Sequence, residues 1–326
     1  MFKKTVLATS VALGMGMAGA AQADLFLFNP AGGGAGGAVT GALIDEAPGN
    51  DLAIGGSATG GGAPLPVGTT INNLYQSNLN SVSDANNVPV FSQGGGGNFF
   101  TFVAGFTETV VAASSFTDPG TGITTATNSF NVNAGGFFKM CAQTAGGNDL
   151  AGTGFACAGN GILSGQVLSG NATQTVFVPP AGAPFSPLDQ SPNGNQRAPT
   201  MTLTSSGAAN LTLRVDTANV GYFPDLLAGA TLVVSMTNTS NITPFAQVDP
   251  SFVFSINGIL NGGTPGNIGA VNGFTGPDFQ FQADANSAFT RQVAKIPEPA
   301  TLALLGLGLF AMGGALRRRT KLTKLY

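Results

Sequence analysis

Apolar and polar residues alternate with a period of two in several parts of the chain, and this pattern limits the fold more than any other feature. The stretches 130–134, 211–215 and 252–256 show the alternation most clearly. A period of two is that of a half-buried β-strand. Four further stretches are predicted as strands because they are rich in β-branched and aromatic residues: 99–106, 174–178, 201–204 and 230–236.

Short sequences that turn the chain separate these strands. They are Asn-Gly at 193–194, 257–258 and 272–273, Asp-Pro-Gly at 118–120 and four glycines at 94–97. No long stripe at helical spacing occurs between residues 24 and 295, and the nearest candidate, 71–82, carries many Asn. We therefore predict an all-β, β-sandwich-like body rich in Gly and Asn. The Pro-rich stretch 179–199 is predicted to be a long loop or a break between two β-subdomains.

The composition excludes several classes of function. The chain has no His and no Trp, which removes Ser-His and Cys-His catalysis and His-ligated metal. Residues 24–295 contain five cationic residues and fourteen carboxylates, a net charge of −9, so a nucleic-acid binder is excluded. No Gly-Lys-Ser/Thr phosphate loop, Gly-x-Ser-x-Gly or Cys-x-x-Cys motif occurs, and we predict no cofactor.

The first 23 residues have the three parts of a secretory signal peptide. Lys3 and Lys4 precede a largely apolar stretch over 5–20, and Ala21-Gln22-Ala23 has the form that signal peptidase accepts. We predict export and cleavage before Asp24. The alternative is a retained membrane anchor, for which the apolar stretch is short.

The last 31 residues combine a short motif, an apolar run and a basic end. Pro297-Glu298-Pro299 precedes seventeen uncharged residues, 300–316, and Arg317-Arg318-Arg319 follows at once. Seventeen helical residues extend about 25 Å, the short end of what a bilayer core requires. The basic residues would lie on the cytoplasmic side. We predict a transmembrane helix at 300–316 that leaves the body outside.

This order of motifs resembles the PEP-CTERM sorting signal. The resemblance implies recognition and processing near Pro297-Glu298-Pro299 by a membrane enzyme of the exosortase type. It also implies a Gram-negative cell that makes extracellular polysaccharide, with the protein at the cell envelope, at the outer surface or in the extracellular matrix. The membrane would be a partner only before processing. A generic tail anchor is the alternative.

A second resemblance concerns the body. Residues 42–46 (Ala-Leu-Ile-Asp-Glu), 74–76 (Leu-Tyr-Gln) and 276–284 (Gly-Pro-Asp-Phe-Gln-Phe-Gln-Ala-Asp) are similar to the flocculation-associated PEP-CTERM proteins. That likeness implies a role in holding cells together in an extracellular polysaccharide matrix or biofilm. We therefore expect a non-enzymatic, adhesive or structural protein whose Thr, Asn, Ser and Gln side chains bond to neutral sugars.

Cys141 and Cys157 are the only cysteines, with fifteen residues between them. Export places them in an oxidising compartment, which favours a disulfide bond between them. We predict a structural disulfide that clamps the Gly-rich segment between them. A redox-active or nucleophilic thiol is the alternative, and it lacks a His neighbour.

The rival function is a secreted carbohydrate-active enzyme, which needs only two carboxylates. The body contains just two Glu, Glu46 and Glu108. Asp45 and Glu46 are adjacent, so on a strand they face opposite sides and cannot form a working pair. Without Trp, sugar stacking is left to Phe, Tyr75 or Tyr222. We assign no catalytic residue.

Two other possibilities remain open from the sequence. Calcium could be held by Asp45, Glu46 and Asp51, or by Asp278 and Asp284, but solvated turn carboxylates explain these positions equally well, so we assign no metal site. The body could also be a self-associating scaffold. Exposed edges of Phe-rich strands such as 99–106 would favour this.

Overall fold

The computed structural model describes residues 23–57, 63–148, 154–155, 157, 161–188, 198–239 and 268–291. Strands dominate these ranges, so the all-β prediction is confirmed. Several predicted features lie outside the described residues: most of the signal peptide, the strand at 252–256 and the C-terminal segment with its helix at 300–316. Within the described ranges, no helix has the length and apolar character needed to cross a membrane.

In the described part of the chain, the strands follow one another with one 3-10 turn among them, at Gly95–Gly97. Their bounds are β1 Phe26–Phe28, β2 Val39–Gly41, β3 Leu43–Glu46, β4 Gly49–Ile54, β5 Thr70–Ser83, β6 Pro89–Ser92, β7 Phe99–Thr117, β8 Thr124–Val132, β9 Phe137–Gln143, β10 Gly161–Val178, β11 Ser186–Pro187, β12 Met201–Thr202, β13 Thr204–Ala218, β14 Thr231–Thr239, β15 Val271–Asn272 and β16 Phe279–Arg291.

The main sheet closes on itself. In sequence order, β4, β5, β7, β8, β10, β13, β14 and β16 each pair antiparallel with the next, and β16 pairs back with β4. β3 and β9 continue β4 and β8, because each pairs with the same two neighbours as the strand it continues. We call this arrangement the closed sheet. The β-sandwich prediction is wrong, because one sheet encloses its own core and pairing of β4 with β16 satisfies the backbone groups of both edges.

The stretch 99–106, whose exposure would have favoured a self-associating scaffold, is not an edge of the closed sheet. This part of β7 pairs with β9 on one side, from Phe99↔Gln143 to Gly105↔Phe137. On its other side it pairs with β5, from Thr101↔Asn78 onward. Phe100, Phe102 and Phe106 are buried in the core.

Aromatic residues fill one end of the closed sheet. Phe26 and Phe28 of β1 are fully buried and contact rings from several other parts of the chain. We call the set the aromatic plug: Phe26, Phe28, Phe91, Phe100, Phe223 and Phe289. The backbone N–H of Asp24, the first residue after the predicted cleavage point, donates to the carbonyl of Phe289. The start of the body therefore closes this end of the sheet.

Part of the outer face of the sheet is also covered. Leu52, Leu74 and Val103 are buried there beneath Phe155, Leu188 and Ile268, which come from the connections between strands.

A disulfide bond joins Cys141 of β9 to Cys157, as predicted. β10 and β13, which flank the Pro-rich stretch 179–199, pair with each other from Leu163↔Ala218 to Phe177↔Thr204.

Candidate functional site

An open pocket lies beside the aromatic plug, where β7 and β10 begin and β9 ends. Its volume is about 370 Å³, within the range of about 300–1,000 Å³ that is usual for small-molecule sites. We call it the polar pocket, and its lining is Asn98, Ala142, Gln143, Thr144, Gly161, Ile162, Asn219 and Tyr222. Among the residues that the structure describes, the lining carries amide and hydroxyl groups, one aromatic ring and no charged side chain.

Asn219 organises the loop that forms one wall of the polar pocket. Its backbone N–H donates to the carbonyl of Ile162, and its own carbonyl accepts from the N–H groups of Tyr222 and Phe223. Its Oδ1 atom accepts the N–H of Gly221 at 2.8 Å, a local turn that Asn favours. Within the described chain, the Nδ2 amide of Asn219 makes no hydrogen bond. This donor is therefore available to a ligand.

Tyr222 supplies the aromatic surface of the polar pocket. Its ring meets Phe100 of the plug edge-on, with the centroids 6.0 Å apart. It also lies against Gly32, where an added Cβ atom would come within 2.9 Å of the Tyr222 Cζ atom. Gly32 has a φ of +73°, which suits glycine. The ring is thus held in place while the residue remains half-buried.

Gln143 forms another wall and connects the polar pocket to the disulfide. Its Nε2 atom donates to Thr101 Oγ1 and to the carbonyl of Gly154, each at 3.1 Å. Gly154 lies in the segment clamped between Cys141 and Cys157. The disulfide therefore helps to hold the group that fixes Gln143.

The closed sheet buries three carboxyl groups in its interior. Glu46, Asp51 and Glu108 are between 2 and 6% exposed. Burial raises the pKa of Glu46 to about 8, and the charges of Asp45 and Asp284 add to this, whereas a hydrogen bond from Ser287 opposes it. Glu46 is therefore protonated at neutral pH.

The other two buried carboxyl groups lie close together. Burial raises the pKa of Glu108 to about 7, against the effect of a hydrogen bond with Asn73. Burial raises the pKa of Asp51 well above its usual range, and the charge of Glu108 acts in the same direction. Nothing in the local sequence indicates this burial, since Asp51 fits equally well as a solvated turn carboxylate.

The spaces next to these groups are too small for a sugar. One cavity is lined by Glu46, Tyr75 and Ser287, among others, and a second by Asp51 and Glu108. Each has a volume of about 30 Å³, which is room for about one water molecule. Tyr75 is buried here, so of the two tyrosines considered for sugar stacking only Tyr222 lies at an open site.

The predicted calcium candidates do not converge. Asp45 accepts hydrogen bonds from Asn80 and Ser81, while the adjacent Glu46 points into the interior, so the two face opposite sides as predicted. Asp51 is also inside, on β4. Asp278 accepts from the N–H of Gly55, and Asp284 lies six residues further along, about 20 Å for an extended chain. The described residues hold no group of three or more Cys, Asp or Glu placed to bind a metal ion.

Comparison with known protein families identifies the C-terminal segment. Residues 295–319 match the model of the PEP-CTERM protein-sorting motif. The chain carries a PEP-CTERM signal. Both Pro297-Glu298-Pro299 and Arg317-Arg318-Arg319 fall within the match, so the resemblance seen in the sequence is confirmed.

The PEP-CTERM signal indicates an exported protein that is targeted to an exosortase. It also implies a location at the cell envelope or surface. The body has no such counterpart: no curated protein and no solved structure matches the chain significantly. Of the residues in the polar pocket, sequence reasoning had named only Tyr222. The Asn219-x-Gly221 turn next to Tyr222 was the one local signal that could have drawn attention to the others.

Proposed function

We propose that this PEP-CTERM protein is a non-enzymatic surface or matrix protein that binds neutral sugar units of extracellular polysaccharide through the polar pocket. It would thereby help cells adhere in flocs or biofilm. The observation that carries the proposal is the lining of the polar pocket, which has amides, hydroxyls, the Tyr222 ring and no charge. Amides and hydroxyls match the donors and acceptors of a sugar, and an aromatic ring can cover its apolar face.

The lack of charge in the pocket suits a neutral ligand in particular. The body has a net charge of −9, so an acidic polymer would be repelled from it as a whole. A neutral sugar meets no such repulsion and needs no counter-charge in the pocket. Each hydrogen bond contributes only about 1 kcal/mol net, so one pocket binds weakly and many copies on a surface supply adhesion.

The rival, a secreted carbohydrate-active enzyme, finds less support in the positions of the carboxyl groups. Hydrolysis of a glycoside usually needs two carboxyl groups about 5–9 Å apart on either side of the substrate. The described lining of the polar pocket contains no carboxyl group. Glu46, Asp51 and Glu108 border cavities of about 30 Å³, and these cannot receive a sugar.

A binding measurement on the exported protein tests the pocket. Wild-type protein should be retained by purified neutral matrix polysaccharide, and Tyr222→Ala should weaken retention about tenfold, since an aromatic contact is worth up to about 1.5 kcal/mol. Leu227→Ala removes an exposed side chain elsewhere and should change nothing. If wild-type protein binds no better than an unrelated acidic protein, the proposal fails.

A test in the host examines the role in adhesion. One strain lacks the gene, and a second carries alanines in place of Pro297-Glu298-Pro299. Both should disperse while secreting normal polysaccharide, because the protein would be missing or wrongly sorted. If aggregation is unchanged and the length or composition of the polysaccharide shifts, the enzyme gains support and the adhesive role is lost.

A further inference from the structure

The strand β7 extends past the end of its neighbour β5. β5 pairs with β7 only as far as Thr70↔Thr109, whereas β8 continues to pair with it up to Thr124↔Thr117. The backbone of Val110 still bonds to Thr69 and Gly68. From residue 111 to 117, β7 has β8 on one side and no hydrogen-bonded strand on the other within the described chain. We call residues 111–117 the free edge.

The free edge lacks most features that normally protect such an edge. All seven residues, Val-Ala-Ala-Ser-Ser-Phe-Thr, are exposed, and none is charged or proline. Native edge strands are commonly protected by Lys, by Pro or by a bulge. One bulge occurs between Val110 and Ala112, at the point where β5 ends, and beyond it β7 pairs regularly with β8. The backbone of 112–117 is therefore open to a further strand.

Exposed apolar side chains lie on and next to the free edge. Phe116 is 65% exposed and Val111 is 45% exposed. Val67 is 63% exposed and adjoins Gly68, whose N–H donates to the carbonyl of Val110. A strand added at the free edge would remove apolar surface from water and also satisfy backbone groups.

We propose that the free edge pairs antiparallel with the free edge of a second copy of this chain, about a two-fold axis at Ser114. β8 and β7 of both copies would then form one continuous four-stranded sheet. In this register Phe116 of each copy lies opposite Ala112 of the other, so a large side chain meets a small one. This association does not involve the polar pocket and stands independently of the sugar-binding proposal.

Charge explains why a second copy fits at this place. Two bodies that each carry a net charge of −9 repel one another over most approaches. The free edge is uncharged, and Asp118, the next residue in the sequence, accepts hydrogen bonds within its own turn from Gly120 and Thr121. Two identical free edges can therefore meet without bringing like charges face to face.

The expected dimer is weak. A stable protein interface buries about 800 Å² on each partner, and a contact of seven residues along one strand buries less. Association should accordingly depend on concentration and become important where the protein is crowded at a surface or in a matrix.

Sedimentation equilibrium of the exported protein tests the association. The wild-type protein should show a dimer fraction that rises with concentration, and Ser114→Lys should reduce the association constant at least tenfold, because two like charges would meet on the axis. Asn171→Lys is the matched control. Asn171 is an exposed residue of β10, which is paired on both sides, so this variant should dimerise like the wild type. A wild-type protein that stays monomeric, or equal dimerisation of Ser114→Lys, overturns the proposal.

A cross-linking experiment keeps the proposal testable if the lysine variant does not fold. Cys141 and Cys157 are bonded to each other, so Ser114→Cys introduces the one free thiol. Mild oxidation should join two copies of Ser114→Cys through a disulfide and leave Asn171→Cys mostly monomeric. Equal or absent cross-linking in the two variants would contradict the two-fold register.

Discussion

The hydroxyl of Ser287 donates a hydrogen bond to Glu46 Oε1 at 2.7 Å in the interior of the closed sheet, although the two residues are 241 positions apart. They meet because β3 pairs with β16, with Ile44 opposite Ser287. The hydrogen bond lowers the pKa of Glu46, but burial has the larger effect and raises it to about 8. The hydrogen bond between β16 and β3, where the sheet closes, is therefore made to a carboxyl group that is protonated at neutral pH.

The free energy of unfolding should fall as the pH rises from about 5 to 8. The ordinary pKa of Glu is 4.5, whereas folded Glu46 and Glu108 have pKa values of about 8 and about 7. In this interval the folded protein retains protons that the unfolded chain has lost. The stabilising contribution is complete below pH 4.5 and is lost as the pH rises through each folded pKa, by about 1.4 kcal/mol per pH unit and group. Urea unfolding at several pH values measures it.

Variants separate this effect from general pH sensitivity. Glu46→Gln should reduce the slope by about 1.4 kcal/mol per pH unit, because the amide is neutral at every pH while Glu108 still titrates. Asp84→Asn is the control, since turn hydrogen bonds lower the pKa of Asp84 and it does not titrate in this interval. An unchanged slope in Glu46→Gln would show that Glu46 does not titrate as described.

Reduction of the disulfide should destabilise the protein by about 3 kcal/mol, the chain-entropy value for a loop of about this size. Cys141 is fully buried on β9, and the clamped segment also holds Gln143 through Gly154. We therefore expect reduction to weaken sugar binding as well. Thermal unfolding with and without reductant measures the first effect. The double variant Cys141→Ser, Cys157→Ser should not respond to reductant, and equal melting temperatures of the wild type in both conditions would contradict the prediction.

Phe28→Ala should destabilise the protein by about 3–5 kcal/mol, since removal of a buried aromatic side chain leaves a cavity. Phe28 is fully buried and contacts Phe91, Phe100 and Phe223. Phe116→Ala makes the same chemical change at a residue that is 65% exposed, and at low protein concentration it should cost less than about 0.5 kcal/mol. Denaturant unfolding compares the two, and similar losses would mean that the plug is not closely packed.

Gly32→Ala should disturb the polar pocket, whereas Gly34→Ala should not. Both glycines have positive φ values, +73° and +76°, so both variants incur a similar backbone strain of about 1–2 kcal/mol. Only at Gly32 would the new methyl group meet the ring of Tyr222, because nothing lies within 4 Å at Gly34. Near-ultraviolet circular dichroism of the tyrosines and polysaccharide binding should change in Gly32→Ala alone. Equal behaviour of the two variants would exclude the contact with Tyr222.

The local character of the body could be predicted from its sequence. The alternation at 211–215 lies in β13, and the stretches at 99–106 and 174–178 lie in β7 and β10. The Asn-rich stretch 71–82, the nearest approach to a helical pattern, is part of β5, and Asn73, Gln76, Ser77 and Ser81 are among its buried polar residues. Period-two alternation shows which residues share a face, but it does not show which strands pair.

The closure and the site therefore could not be predicted. Pairing of β3 and β4 with β16 joins residues more than two hundred positions apart, and the contact of β3 with β16 makes Glu46, an apparent turn carboxylate in the sequence, a buried acid. The polar pocket brings together Asn98 just before β7, Gln143 at the end of β9 and Asn219 just after β13. No spacing within one segment encodes that arrangement.

Closure of the sheet also affects how an exported protein of this kind can fold. β4 lies near the start of the body and β16 near its end, and Gln280 bonds to Asn50 across 230 positions. Contacts so distant in sequence form slowly, because a long loop must close before they can contribute. A chain that is exported N-terminus first cannot complete the closed sheet until β16, its last strand, is available to pair with β4.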